Sequence, residues 1–203
     1  MGFVFILDRS TGKPLFSIEE RAVPGSDVAG EMSSPTQPYP VLPLPIARQH
    51  LDDDEAWGLT FWDKGWCRDK VSGMRNEGLY TPPSTQGTVQ IPSAAGGPNW
   101  GGAAFDPVSK LLVVNVTNVA DYLRLIPRQE YDLDRSKSGI DSGLMIGTPY
   151  VMESGPLLSP LGIPCSPPPW GELSAIDVST GAIRWRLPLG SIKLAGPVTT
   201  PHS

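Results

Sequence analysis

Histidine and cysteine are scarce in this 203-residue chain, with two of each: His50, His202, Cys67 and Cys165. No CxxC pair or clustered Cys/His spacing exists, so a zinc site, a histidine-based metal centre and a disulfide-rich scaffold are not expected. Two readings of the cysteines stand, a bridge closing a long loop in an oxidising compartment or two separate reduced thiols, and spacing does not choose between them. No apolar run approaches the roughly 18 residues that span a bilayer, and "MGFVFILDRS" meets charge too early for a signal peptide. Basic clusters are also missing. The net charge of −5 arises from 16 basic and 21 acidic residues, so nothing offers the footprint a phosphate backbone demands and no nucleic acid is expected as a partner. There is no G-x-S-x-G elbow, H-E-x-x-H, Walker lysine loop or G-x-G-x-x-G, which removes the main supports of hydrolase and nicotinamide-dehydrogenase readings.

What is present is turn chemistry. Gly (22) and Pro (23) are abundant while 39% of residues are hydrophobic, the profile of a loop-rich globular chain able to bury a core. "GFVFILDRSTGKPLF" reads as a strand, an Asp8-to-Gly12 turn and a returning segment, and "LSAIDVSTGAIRWRLPL" repeats that grammar around Asp177 to Gly181. In D-x-S-T-G the Asp and Ser/Thr side chains bond their own turn while glycine supplies positive φ. "AAFDPVSKLLVVNV" makes a third hairpin. Strands are expected at about 2–7, 86–91, 101–106, 110–116, 171–177 and 181–187, all antiparallel. Recurrent hairpins of this kind suggest propeller blades. Residues 22–49 are proline-rich and read as an extended surface loop, as does "SPLGIPCSPPPWG"; residues 129–143 are polar. A helical piece is expected within 52–75, where acidic residues precede basic ones.

Three further features bear on chemistry. Asp52, Asp53, Asp54 and Glu55 could hold a hard cation, but adjacent carboxylates at a helix start cannot all face one ion, and a solvated helix N-terminus is the favoured reading. Asn115-Val116-Thr117 matches a glycosylation sequon on a predicted strand, where chance explains it better. Trp57, Trp62 and Trp66 read as a packing stripe. "GGPNWGGAAFDP" is the most unusual stretch: Asn99 and Trp100 sit in backbone stripped of side chains, where something flat or bulky can approach.

"FILDRSTGKPL", "SPTQPY", "CRDKVSGMRNEGLYTPPSTQGT", "GGPNWGGAAFDP", "RLIPR", "LLSPLGIPC" and "PPWGELSAIDVSTGAIRW" occur in this order. The series resembles the dehydrogenases of the membrane-bound glucose/quinate/shikimate type that depend on pyrroloquinoline quinone (PQQ), over residues 2 to about 190. The resemblance implies an all-β fold, a partial eight-bladed β-propeller, with one nearly whole blade at about 96–190 and parts of its neighbours. It implies a tryptophan-docking motif in "AIDVSTGAIRW", with Trp185 buried between blades. It implies oxidation of a sugar or cyclic polyol, electron transfer to a membrane quinone, and a periplasmic location at the bacterial inner membrane. Asn99 would bond the quinone cofactor and Trp100 would support its orientation; the other reading is that Asn99 satisfies a strand-end backbone group. In relatives the catalytic aspartate, the calcium or magnesium ligands and a basic residue touching the quinone precede the segment resembling "GFVFILDR". The chain is therefore expected to be a C-terminal-region fragment with neither catalytic base nor metal ligands. The alternative is a non-catalytic propeller-derived structural or interaction module, and open blade edges are expected to favour self-association.

Overall fold

A computed structural model describes residues 1–94, 97–98, 101–131, 141–143 and 145–190. The two D-x-S-T-G segments fold alike. Asp8 Oδ1 accepts the amides of Ser10 and Thr11 at 3.0 and 2.8 Å and both hydroxyls at 2.6 and 2.8 Å. Asp177 Oδ1 accepts the amides of Ser179 and Thr180 at 2.9 and 3.3 Å. In each turn the glycine amide returns to the aspartate carbonyl at 2.8 Å, with φ of +70° at Gly12 and +72° at Gly181. The Ser10 and Thr11 hydroxyls hold the Asp8 carboxyl down at about 2. Asp106 builds a third turn of the same kind, accepting Val108 N at 2.9 Å and Ser109 Oγ at 2.5 Å. There Lys110 occupies the glycine's place, at φ +59°.

Among the described residues ten strands and one helix follow in the order β1 (Ile18–Ala22), β2 (Thr36–Pro40), α1 (Phe61–Ser72), β3 (Thr88–Gln90), β4 (Ala103–Asp106), β5 (Leu111–Thr117), β6 (Asp121–Pro127), β7 (Asp141–Gly143), β8 (Tyr150–Pro156), β9 (Gly171–Asp177) and β10 (Ile183–Pro188). Every pair of these strands is antiparallel. One sheet runs β4-β5-β9-β10, a four-stranded meander whose middle connection carries β6, β7 and β8; these join β3, from before the meander, in a second, inserted sheet of order β3-β6-β8-β7. β1 and β2 form a separate ribbon. The meander buries Val114, Val116 and Ile176 against Ile46 and Ala47. A second core gathers Leu51, Ala56, Cys67, Val71, Val89, Ile91, Ala120, Leu157 and Cys165 between α1, the inserted sheet and the 157–165 connector. The sulfurs of Cys67 and Cys165 are bonded, with Cα atoms 5.3 Å apart across a sequence separation of 98. This decides between the two readings of the cysteines.

Several expectations need correction. Residues 2–7 are not a strand; Leu7 makes one isolated bridge to Pro14. The reason is Gly2, which at φ +73° packs on Ala47 and offers its carbonyl to Ile46 N at 3.0 Å, turning the chain onto the 42–47 segment. Nor is 22–49 only a surface loop. It contains β2, and it buries Pro43 and Ile46 completely, the latter worth roughly 1.5–3 kcal/mol. The helix starts nine residues after Asp52, at Phe61, because Thr60 caps it by accepting Asp63 N at 3.2 Å. Gly58 is needed just before, since a Cβ there would meet Lys64 N at 2.3 Å. The acidic run 52–55 is thus an exposed turn and not a helix start. The tryptophan stripe also dissolves: Trp66 packs on the core, Trp57 meets Trp170 edge-on at 5.4 Å, and Trp62 is 48% exposed. Trp185 lies on β10, the outermost strand of its sheet, and is 36% exposed in this chain, which has no second blade packed against β10 among the described residues. β1, β2, β6, β7 and β8 were not anticipated.

Candidate functional site

The loop between β3 and β4 carries the Asn-Trp-Gly-Gly segment, and among the described residues three hydrogen bonds fasten it to the stretch from the end of β5 to the start of β6. Ser93 N donates to Val119 O at 2.9 Å, Ala94 N to Asp121 Oδ2 at 3.0 Å, and Gly97 N to Thr117 O at 3.0 Å. Burial pushes the Asp121 carboxyl up from its ordinary range, against the opposing pull of the Ala94 amide. Gly97 at φ +67° lies beside Pro92 and Gly2, so the loop is held from both sides. Gly101 meets β5 directly: a Cβ there would stand 2.7 Å from Asn115 Oδ1. Gly102, at φ +62°, is exposed, and nothing lies within 4 Å of the position a Cβ would take. The loop therefore has one side closed by the Asn115 amide and one side of bare, open backbone, at the start of β4, whose four residues are all exposed. Asn99 and Trp100 themselves lie outside the described residues.

Behind this loop sits a polar junction that sequence reasoning missed. Asn118 is 2% exposed and uses its amide fully. Its Oδ1 accepts Arg48 N at 2.9 Å, and its Nδ2 donates to Glu172 Oε2 at 2.5 Å and to Pro169 O at 3.4 Å. The 42–51 segment, the end of β5 and the start of β9 are joined there. The available signal was the polar pair Asn118 and Asp121 closing the apolar run of β5. The acidic turn was read without its histidine: one ligand atom each from His50, Asp52 and Glu55 lies within 4.8 Å of the others. Each already has a neighbour, His50 Nδ1 to Asp52 Oδ1 at 3.1 Å and Glu55 Oε1 to Arg48 at 3.7 Å.

The family model described as "PQQ: Glucose/ethanol/alcohol dehydrogenase, beta-propeller domain" matches residues 1–203. The chain belongs to this family. Among curated proteins it is 40% identical over 202 residues to the "Probable quinate dehydrogenase (quinone)" of Xanthomonas campestris pv. juglandis, covering 97% of the chain and 26% of that protein. It is 38% identical to the "Quinate/shikimate dehydrogenase (quinone)" of Acinetobacter baylyi over 97% of the chain and 25% of that protein. It is 35% identical to the "Quinoprotein glucose dehydrogenase" of Escherichia coli K12, over 94% of the chain and 25% of that protein. The chain thus spans about a quarter of the length of these relatives. No solved structure matches. The all-β expectation and the partial propeller stand, with the meander β4-β5-β9-β10 having the strand order of a propeller blade. Among the described residues no helix is long and apolar enough to cross a membrane. The PQQ of this family is a flat, polar-edged ring system; at this loop the backbone of Gly102 is bare and Gly101 lies against the Asn115 amide.

Proposed function

We propose that this chain forms one wall of the cofactor site in a PQQ-dependent dehydrogenase that oxidises a sugar or cyclic polyol and passes electrons to a membrane quinone. The observation that carries the reading is the fastened, glycine-floored loop at the exposed start of β4. Asn99 would donate its amide to an oxygen of the cofactor, Trp100 would hold that amide in place, and Gly101 and Gly102 would admit the ring system. PQQ, when bound, accepts the two electrons of alcohol oxidation. The chain's own contribution is positional: the bonds to Val119, Asp121 and Thr117 set where the loop lies before anything binds. Residues 96–190 are assigned to one blade, with the inserted sheet as its long connection. The catalytic base and a calcium or magnesium ion would come from the remaining three-quarters of the protein, on the periplasmic side of the membrane.

The test is cofactor titration by absorbance in the full-length protein. Asn99→Ala is expected to weaken PQQ binding by about 0.5–1.5 kcal/mol, the worth of one hydrogen bond, with the melting temperature unchanged. Unchanged cofactor affinity would return Asn99 to a backbone-capping role.

A further inference from the structure

His50 stands just before the acidic run 52–55, and the chain turns its imidazole back onto the carboxylates. Adjacent carboxylates cannot all face one point, and here they do not. The fold selects two of the four, Asp52 and Glu55, and brings a ligand atom of each within 4.8 Å of the imidazole and of one another, while Asp53 and Asp54 stay outside the group. His50 Nδ1 lies 3.1 Å from Asp52 Oδ1, and Cδ2 of the same ring stands 3.6 Å from the place a Cβ would take on Gly78. Nδ1 is therefore the nitrogen offered to the carboxylates. Glu55 folds over the turn so that Oε2 accepts Asp52 N at 3.3 Å, which leaves Oε1 with a loose contact to Arg48 at 3.7 Å.

The turn is anchored on both sides of these three residues. Arg48 N donates to Asn118 Oδ1 at 2.9 Å, and Leu51, fully buried, accepts Asn76 Nδ2 on its carbonyl at 2.6 Å. Beyond the acidic run Ala56 is buried and Trp57 N donates to Cys165 O at 2.8 Å. Four points held by other parts of the chain thus set the backbone that carries the imidazole and the two carboxylates, so little of it has to be ordered when something binds. Charge points the same way. Among the described residues Arg48 is the one permanent cation ion-paired to the run, against four carboxylates.

We propose that His50, Asp52 and Glu55 bind a divalent transition-metal ion of the Zn²⁺ class, with water completing its coordination shell. One imidazole nitrogen with two carboxylate oxygens is a donor set for Zn²⁺ and its neighbours in the first transition row. Ca²⁺ takes six to eight oxygens and Mg²⁺ an octahedron of oxygens, so the imidazole argues against either. The ion replaces the loose Arg48 contact of Glu55. Because the same turn delivers Arg48 N to Asn118, a bound ion braces the polar junction behind the cofactor loop.

The test uses the full-length protein in excess Ca²⁺, which keeps any hard-ion site filled, titrated with Zn²⁺ by calorimetry and with Co²⁺ by visible absorption. The wild type is expected to bind one more ion of each kind than His50→Ala, and its Co²⁺ complex to show ligand-field bands that the variant lacks. Asp52→Asn and Glu55→Gln should each weaken that step by roughly tenfold or more. The Asp53→Asn, Asp54→Asn double variant should leave it in place, which separates a built site from diffuse attraction to an acidic run. Without Zn²⁺ all of these variants should melt with the wild type, since Asp52 and Glu55 are exposed and His50 half-buried. Equal stoichiometry in the wild type and His50→Ala, or equal losses from the 52, 55 and the 53, 54 replacements, would overturn the proposal.

Discussion

Gly12 and Gly181 hold the same place in two turns of one design, with φ of +70° and +72°, so replacing either by alanine imposes the same backbone strain, roughly 1–2 kcal/mol. Their surroundings differ. No atom lies within 4 Å of a Cβ built on Gly12, whereas on Gly181 a Cβ would meet Leu42 Cβ at 2.8 Å and Phe16 Cζ at 3.2 Å. Leu42 Cβ is anchored to its own backbone and cannot swing aside, so relief requires moving the 42–47 segment that covers the meander. Overpacking of that sort adds about 1–3 kcal/mol. Gly12→Ala should therefore cost about 1–2 kcal/mol and Gly181→Ala about 2–5 kcal/mol. Lys110→Gly supplies the reverse arm: it removes left-handed strain from the third turn and should leave stability equal or raised by up to about 1 kcal/mol. Urea unfolding followed by circular dichroism measures all three. Equal losses for the two alanine variants would show that the Gly181 turn does not pack on Phe16 and Leu42, and the placement of the 42–47 segment would be wrong.

Removing the Cys67–Cys165 bond by replacing both cysteines with alanine should destabilise the chain by an amount approaching 4.7 kcal/mol, about the loop entropy of a closure near 100 residues; a loss in urea unfolding under about 1 kcal/mol would contradict the bridge. Asp121 supplies a pH test. Burial raises its folded pKa above the unfolded value, so the native state keeps a proton that the unfolded chain has lost, and stability falls as pH rises through that window. Asp121→Asn keeps an acceptor for Ala94 and removes the titration, so the variant should gain on the wild type between about pH 3.5 and pH 7; parallel urea midpoints across that range would refute the assignment. Asp8 has the opposite sign: its contribution is present above its ordinary value and is lost as pH falls toward about 2.

What was legible in the sequence was chemistry that closes within about five residues. The D-x-S-T-G turns needed nothing from the rest of the chain, and the apolar runs of β5 and β9 are buried strands in any context. Features set by distant partners were not legible. Residues 2–7 look like a strand until Gly2 meets Ala47, and β8 carries Glu153, Ser154 and Gly155, residues that acquire strand form only by pairing with β6. The helix start depended on Thr60 and on Gly58 fitting under Lys64, while the preceding acidic run drew attention away. At the site, Asn99 was legible because a polar side chain among glycines is unusual. Asp121 and Asn118 were not, because their roles lie in amides from elsewhere in the chain, at Ala94 and Arg48.

The inserted sheet imposes an order of events on the blade. β5 ends at Thr117 and its neighbour β9 begins at Gly171, so the ladder between them waits until the intervening chain has emerged. β6 and β8, by contrast, lie within that interval and have each other to pair with. Loop closure across a compact, already paired insert costs less entropy than across a free chain. The insert therefore acts as a clasp: once it has formed, it brings the two halves of the blade into register, and until then the apolar faces of β5 and the 42–47 segment have no sheet to close upon.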